Sequence, residues 1–238
     1  MNNRYVHLTP RLLAALSMLS GSKVVADVGC DHGRLIAALL QQGICEKVIA
    51  TDISEPSLLK AKQLLSYIGL SEHVSFRAGD GLYVLKPGEC DAIAILGMGG
   101  TLMTRILDRC ETPINGACCV VLQPMRAQAD IRSYLYAHNF WITDDRIVPE
   151  HGRQYQIFRA EPNTVQQPIP DGFPKDFFDV GYQSFTQHDP YLKDLCEFQL
   201  AQHRKRMKTA TGTDGEQKLV SRMQALEQIL KLITETNR

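Results

Sequence analysis

The residues best suited to chemistry form a short acidic, glycine-containing stretch near the start of the chain. Asp27, Gly29, Asp31 and Gly33 follow an apolar run and precede a helical pattern of leucine, isoleucine and alanine. A strand, a glycine turn and a helix start form a cradle of nucleotide size, because glycine lets a ligand lie against bare backbone. The dinucleotide fingerprint G-x-G-x-x-G is excluded, since Asp31 and Arg34 occupy the positions of its later glycines. The acids would repel a pyrophosphate, so the stretch favours a cationic or hydroxyl-rich ligand.

Two further predicted strands lead into acids that extend this candidate site. Residues 47–52 form a strand ending at Asp52, where a carboxylate can accept hydrogen bonds from both hydroxyls of a ribose. Residues 74–78 form another strand, and Asp80 follows it between two glycines, where it can accept from the amino group of an adenine. The predicted cofactor-binding residues are Asp27, Gly29, Asp31, His32, Asp52, Ile53, Asp80, Gly81 and Gly97.

A fourth predicted strand, residues 91–96, runs into the loop Gly97-Met98-Gly99-Gly100. Each such turn, taken alone, also fits an ordinary connection between a strand and a helix, because Gly and Asp are common in turns. Acids or glycines at the carboxyl ends of four successive strands are more informative, since ligands of open α/β sheets bind there. The four turns together favour a cofactor site.

Composition restricts the possible classes of protein. Hydrophobic residues make up 44% of the chain and charged residues 22%, which predicts a folded core. Basic and acidic residues balance at 26 each, without the positive excess expected of a nucleic-acid-binding domain. Seven cysteines with no C-x-x-C pair predict reduced thiols rather than a zinc site or a disulfide framework. With no apolar run of the roughly 20 residues of a membrane span and no secretory segment at the start, we expect a cytoplasmic protein with no membrane and no metal.

The basic residues are distributed unevenly. Arg126, Arg132 and Arg153 lie within residues 126–153, and a short basic run contains Arg204, Lys205 and Arg206. These six residues are the predicted contacts for substrate phosphates. A solvated helix face is the alternative interpretation of such a run.

Strand and helix patterns alternate up to residue 138 and are followed by two strands, around 140–147 and 154–160. This order predicts an α/β fold with a mostly parallel sheet and one antiparallel strand, in a catalytic domain over residues 1–161. Residues 162–189 begin with a proline-rich stretch and are predicted to be a linker or wrapping segment. Residues 190–238 are predicted to form a helical hairpin that serves packing, dimerisation or recognition of a long substrate. The second helix carries an apolar seam with coiled-coil spacing, formed by Leu219, Met223, Leu226, Leu230 and Ile233.

Several of these stretches together resemble the bacterial tRNA (adenine-22-N1)-methyltransferase family. The acid-x-Gly-x-x-x-Gly turn is similar to the first motif of class I S-adenosylmethionine methyltransferases. Asp31-His32 within that turn and Gly97-Met98-Gly99-Gly100 are the most specific parts. The resemblance also covers Arg11-Leu12, Gly79-Asp80-Gly81-Leu82, Leu122-Gln123-Pro124 and Tyr155.

The sequence departs from the family pattern at three places. Gly33-Arg34 stands where Ala-Tyr is often found, and Met125 stands where Asn often follows Gln-Pro. Val180-Gly181-Tyr182 lacks the usual Gly-Pro. These departures concern details of substrate contact rather than the cofactor site.

The resemblance implies a class I methyltransferase fold with a Rossmann-like sheet, S-adenosyl-L-methionine as cofactor, and tRNA as partner. It implies methyl transfer to N1 of adenine 22, an atom whose lone pair needs no proton removed first. The predicted catalytic residues are Asp31, Gly97, Met98 and Gly99. The glycines would present backbone carbonyls to the amino group of the base, and Met98 would pack on the base or the cofactor. Asp31 would supply a carboxylate close to the site of transfer. His32 is either a general base or the partner in a local hydrogen bond.

Two other functions fit the same residues. One is an S-adenosylmethionine-dependent methyltransferase that acts on a small molecule or another RNA position and uses the hairpin for dimerisation. The other is an interaction module that binds the cofactor without turnover. Either a monomer or a weak homodimer is expected.

Overall fold

The computed structural model of the protein describes residues 5–109, 114, 116–162, 169–209 and 212–236. Seven strands form one sheet in the order β3-β2-β1-β4-β5-β7-β6. Strands β1 to β5 pair in parallel, and β7 is antiparallel to both β5 and β6. The predicted mostly parallel sheet with one antiparallel strand is therefore confirmed. The strands are β1 (Val24–Val28), β2 (Lys47–Asp52), β3 (Val74–Ala78), β4 (Ala92–Met98), β5 (Cys119–Pro124), β6 (Phe140–Glu150) and β7 (Arg153–Pro162).

Helices cover both faces of this sheet, which explains why the central strands are predominantly apolar. On one face, Leu16, Ile36 and Leu65 from three helices join a core with Val25 and other strand residues. On the opposite face, Met103 and Ile131 belong to a second core. The helices are α1 (Pro10–Met18), α2 (Arg34–Gln41), α3 (Glu55–Tyr67), α4 (Gly100–Asp108) and α5 (Gln128–Ala137).

A third core joins the segment after β7 to the C-terminal helices. Phe173, Phe177 and Val180 are buried there against residues of the two C-terminal helices and against Ile147 of β6. Residues 169–189 are thus packed into the molecule and include a short helix, α6 (Tyr182–Thr186). Residues 163–168 of the predicted wrapping segment lie outside the described residues. The domain boundaries at 161 and 189 remain a prediction.

Helices α7 (Leu192–Met207) and α8 (Thr213–Thr236) form the C-terminal hairpin. They are antiparallel, because Leu192 shares a small pocket with Ile233 while His203 and Arg222 meet at Asp179. In the predicted seam of α8, Leu226 is buried, and Met223, Leu230 and Ile233 pack against the third core. No helix in the described part of the chain has both the length and the hydropathy needed to span a membrane.

Candidate active site

A cavity of about 840 Å³ lies at the carboxyl ends of the parallel strands. The turns after β1, β2, β3 and β4 all contribute to its wall, as expected for an open α/β sheet. One part, here named the acidic half, contains Asp27, Asp31, Asp52 and Asp80, together with Gly29, His32, Ile53 and Gly81. The other part, here named the apolar half, contains Thr9, Arg11, Leu12, Leu96, Gly97, Met98 and Met125.

The turn after β1 is held close to β2 and to the loop after β4. The Gly29 and Cys30 N–H groups both donate to the Thr51 carbonyl, at 2.8 and 3.0 Å. Gly29 has φ +76°, and a methyl group in place of its hydrogen would overlap the Met98 side chain. The positive φ therefore favours glycine, and the end of the flexible Met98 side chain lies directly against the turn.

Asp52 is oriented by the backbone at the end of β2. Its carboxylate accepts hydrogen bonds from the Asp31 N–H at 3.2 Å and the Ser54 N–H at 2.9 Å. Ser54 in turn caps α3 by accepting from the Ser57 N–H. Each carboxylate oxygen can accept a second hydrogen bond, so Asp52 retains capacity for ligand hydroxyls. Ile53 follows it with 74% of its surface exposed beside the cavity, where it could cover an aromatic ring.

Asp27 is the most perturbed group of the acidic half. Its side chain is buried, and burial, reinforced by the nearby charges of Asp52 and Asp31, raises its pKa to about 7. Within the described residues no cation forms an ion pair with it. The neighbouring Thr51 hydroxyl is also buried and has no hydrogen-bond partner among those residues. This end of the cavity is therefore prepared for a cationic, hydrogen-bonding ligand group.

Asp31 and His32 lie together at the mouth of the cavity. Asp31 adopts φ +45°, and its carboxylate lies 2.7 Å from His32 Nδ1. Both side chains are more than half exposed. Of the two roles expected for His32, this geometry favours the local hydrogen bond.

The predicted catalytic residues in the loop after β4 differ in whether they line the cavity. Gly97 lies at a register shift between β4 and β5, and Gly97 and Met98 both line the cavity. The Met98 carbonyl accepts from the Met125 N–H at 2.8 Å, which fixes the loop to the end of β5. Gly99 lies outside the cavity wall and faces the Arg126 side chain instead. Its predicted contact with a reacting base is not supported by this position.

The six predicted phosphate contacts also differ. Arg126, Arg153, Lys205 and Arg206 are exposed, while the exposed Arg204 is paired with Glu227 at 3.1 Å. The prediction for Arg132 is wrong. Arg132 is fully buried, donates from Nε and Nη2 to the Asp145 carboxylate at 2.9 and 3.0 Å, and lies over the Phe158 ring. Its ion-pair partner, Asp145, is 13 residues away along the sequence, so the charge pattern alone could not show that Arg132 is internal.

Arg11 is a cavity residue that was not among the predicted site residues. Its backbone N–H and Nε donate to the two oxygens of Glu150, and its guanidinium lies 5.4 Å from the centre of the Tyr155 ring. Although burial opposes ionisation, these hydrogen bonds hold the pKa of the Glu150 carboxyl below its usual range. The signal was present in the sequence, because Arg11, Gln123 and Tyr155 all belong to the stretches that carry the family resemblance.

The fold and the cavity together define a Rossmann-like α/β protein with a site for a nucleotide-type ligand at the carboxyl end of its sheet. Comparison with known proteins narrows this class. The family model described as a methyltransferase domain matches residues 8–158. The chain therefore belongs to the methyltransferase-domain family.

Individual relatives agree with the resemblance predicted from the sequence. The tRNA (adenine(22)-N(1))-methyltransferase of Bacillus subtilis strain 168 is 36% identical over 154 residues. That alignment covers 65% of this chain and 65% of the relative, slightly less than two thirds of its length.

Similarity to solved structures covers more of the chain. The Bacillus subtilis m1A22 tRNA methyltransferase TrmK matches with a TM-score of 0.73 at 26% identity, over 94% of this chain and 99% of that one. Sp1610 of Streptococcus pneumoniae, a candidate tRNA (m1A22) methyltransferase solved in complex with S-adenosyl-L-methionine, matches with a TM-score of 0.78 at 26% identity, over 94% of this chain and all of that one. Both alignments extend beyond residues 1–161, so the hairpin is part of the shared fold.

Proposed function

We propose that this protein is an S-adenosyl-L-methionine-dependent methyltransferase that methylates N1 of adenine 22 in tRNA. The observation that carries the proposal is the acidic half of the cavity, where the buried Asp27, which has no cation partner in the described part of the chain, lies among glycine turns. The relatives that share the fold are named as tRNA m1A22 methyltransferases, which supports this choice of acceptor.

The residues of the acidic half fit the chemical groups of S-adenosyl-L-methionine. Asp52 retains acceptor capacity for the ribose hydroxyls, and Ile53 offers an apolar surface to the adenine ring. Asp80, beside Gly81, can accept from the adenine amino group. Asp27 would receive the ammonium of the methionine part, and Gly29 allows the ligand to approach the backbone. When bound, the cofactor supplies a methyl group already activated by a positively charged sulfur.

The acceptor atom sets the remaining requirements. Adenine N1 attacks with its lone pair, so the protein has to align the base with the methyl group rather than remove a proton. Positive charge develops on the base during attack, which carbonyl and carboxylate oxygens nearby would stabilise. Gly97 and Met98 line the part of the cavity available to the base, and Asp31 lies at its mouth. We therefore assign these three residues to the acceptor site and leave out Gly99.

Access to N1 requires an unpaired base, because this atom lies on the Watson–Crick edge. The tRNA must therefore be held by contacts outside the cavity while its adenine enters. Exposed cations are available for phosphate contacts on the catalytic domain and on the hairpin: Arg126, Arg153, Arg204, Lys205 and Arg206. A tRNA substrate fits a cytoplasmic location, which remains part of the proposal. The proposal also keeps the expectation of a monomer or a weak homodimer.

Methyl incorporation tests the proposal directly. The protein is incubated with tritiated S-adenosyl-L-methionine and a tRNA transcript that contains adenine 22, followed by nucleoside analysis. We expect 1-methyladenosine in this transcript and none in a matched transcript with guanine at position 22. Label at another position, or in neither transcript, would contradict the assignment.

A small-molecule acceptor is the second candidate, with the hairpin used for dimerisation. Exposed apolar side chains on the hairpin favour it, since Phe198 is 55% and Val220 41% exposed. Salt-dependent binding of tRNA separates the two, because phosphate contacts release counterions and contacts with a small molecule do not.

A further inference from the structure

Arg11 is the cation of the apolar half of the cavity. It lies in the first turn of α1 and lines the cavity beside Thr9 and Leu12, with 28% of its side chain exposed. Its charge is matched by the buried Glu150, so the pair adds little net charge to the cavity. Its function therefore has to come from geometry rather than from charge.

The guanidinium of Arg11 connects three elements of the fold. One side of it binds Glu150 at the end of β6, and Nη1 donates to Gln123 Oε1 at 3.0 Å at the end of β5. Gln123 is buried with 1% exposure, so its amide has no freedom to find other partners in water. Because Oε1 accepts from Arg11, the amide group of Gln123 has a single orientation.

This orientation determines where the donor side of Gln123 points. Its Nε2 lies 3.5 Å from the Met125 sulfur, a weak hydrogen bond. Met125 is 40% exposed and lines the cavity, and its N–H is bonded to the carbonyl of Met98. A continuous chain of contacts thus runs from Arg11 through Gln123 to Met125, whose flexible apolar side chain lies beside the loop after β4.

We propose that Arg11 is a positioning residue for the methyl acceptor, acting through Gln123 on Met125, whose thioether provides the surface on which the acceptor base lies. Thioethers pack favourably on aromatic rings, but methionine needs external contacts to hold one rotamer. The inference rests on the proposed function, because it requires a flat aromatic acceptor in the apolar half. It adds three residues to the site for the base.

The variant Arg11→Lys separates the hydrogen-bonding geometry of the Arg11 side chain from its charge. Arg11→Lys keeps the positive charge beside Glu150, but an ammonium cannot reproduce a planar fork that spans Glu150 and Gln123. Arg159 provides a matched control, since it binds the Met18 carbonyl at 2.7 Å and pairs with Glu161, anchoring the other end of α1 away from the cavity. Arg159→Lys therefore reports the cost of loosening α1 alone.

The test is a double-mutant cycle with the full-length protein, tRNA and S-adenosyl-L-methionine. We expect Arg11→Lys and Met125→Ala each to lower kcat about tenfold to hundredfold, because small misplacement of a reactant is costly. The double variant should be no slower than Met125→Ala alone, since residues that act through one another are not additive. The Kd for S-adenosyl-L-methionine should be unchanged in all variants, and Arg159→Lys should keep the wild-type kcat.

Three results would overturn the inference. Multiplicative losses in the double variant would mean that Arg11 does not act through Met125. Equal kcat values for Arg11→Lys and Arg159→Lys would reduce Arg11 to a structural anchor, and a wild-type kcat for Met125→Ala would remove the base contact. Failure of the wild-type protein to methylate tRNA would instead contradict the proposed function, so the two failures are distinguishable.

Discussion

Two buried carboxylates, Asp27 at the cavity and Asp145 beside the wrapping segment, have opposite surroundings. The Asp145 carboxylate accepts hydrogen bonds from Nε and Nη2 of Arg132. Gly181 lies so close that any side chain at this position would overlap the carboxylate. Asp27 has no such cation among the described residues, and its closest charged neighbours are acids. Burial raises the pKa of both groups, but only Asp145 has a partner that opposes the rise.

The comparison separates a structural acid from an acid that is prepared for a ligand. A buried charge is retained in a folded protein when it is paired, and Asp145 meets this condition internally. Asp27 can meet it only when a cation arrives from outside. The same distinction explains why Arg132 cannot contact a substrate, whereas Asp27 lines the cavity without an ion-pair partner among the described residues.

The largest expected effect comes from breaking the internal pair. Arg132→Met should lower the free energy of unfolding by about 3–5 kcal/mol, because it leaves Asp145 buried without a partner. Arg132→Met combined with Asp145→Leu should recover much of this loss, since no buried charge remains. Urea denaturation of the two variants measures the difference. Equal stability of the single variant and the wild type would show that the pair is not structural.

Removing an acid of the cavity should affect the ligand instead. Asp52→Ala should weaken the binding of S-adenosyl-L-methionine by about 1–3 kcal/mol, the cost of leaving polar groups without partners. Isothermal titration calorimetry measures the affinity, and circular dichroism checks that the variant is folded. An unchanged affinity in a folded variant would remove Asp52 from the ribose site.

The unpaired state of Asp27 predicts a pH dependence. Since binding of an ammonium requires the ionised carboxylate, the Kd for S-adenosyl-L-methionine should rise as the pH falls below about 7, by at most tenfold per pH unit. Asp27→Asn should bind weakly at every pH and abolish this dependence. A wild-type affinity that is constant from pH 5.5 to pH 8.5 would contradict the assignment.

Asp27 should also make stability depend on pH, but in the opposite direction to ligand affinity: without ligand, the folded state should become less stable as the pH rises. The pKa of Asp27 is about 7 in the folded state, above its value in the unfolded chain. Its contribution to the free energy of unfolding is therefore complete below the unfolded-state pKa and is lost as the pH rises through about 7. Without ligand, Asp27→Asn should therefore melt at a higher temperature than the wild type at pH 8.5. Thermal denaturation with and without S-adenosyl-L-methionine compares the two states.

The smallest effect on stability should come from the exposed cations of the hairpin. Lys205→Glu with Arg206→Glu should change the free energy of unfolding by less than about 1 kcal/mol, because exposed charges contribute little. The tRNA affinity should fall, and the slope of log affinity against log salt should decrease by about one unit per lost contact. Unchanged binding would assign the hairpin to packing or dimerisation.

Local patterns predicted most of the fold, because apolar runs and glycine turns determine strands and their ends. The acidic half of the cavity was predictable for the same reason: Asp27 and Asp52 lie near the carboxyl ends of β1 and β2, and Asp80 follows β3. The carboxyl ends of these strands face the cavity. The contacts of Arg132 and Arg11 were not predictable from local patterns. Arg132 pairs with Asp145, 13 residues away, and Arg11 contacts Gln123 and Glu150, 112 and 139 residues away. Whether an arginine is internal, bridging or free depends on such distant contacts.

The third core has a consequence for how the molecule unfolds. Its apolar residues come from β6, from residues 169–189 and from both helices of the hairpin, so none of these parts buries its surface alone. Elements that share a core open together, and their backbone amides become exchangeable in one cooperative step. The hairpin is therefore bound to the sheet as part of a common folding unit rather than as a detachable arm, and shortening α8 would loosen β6, the outer strand of the sheet.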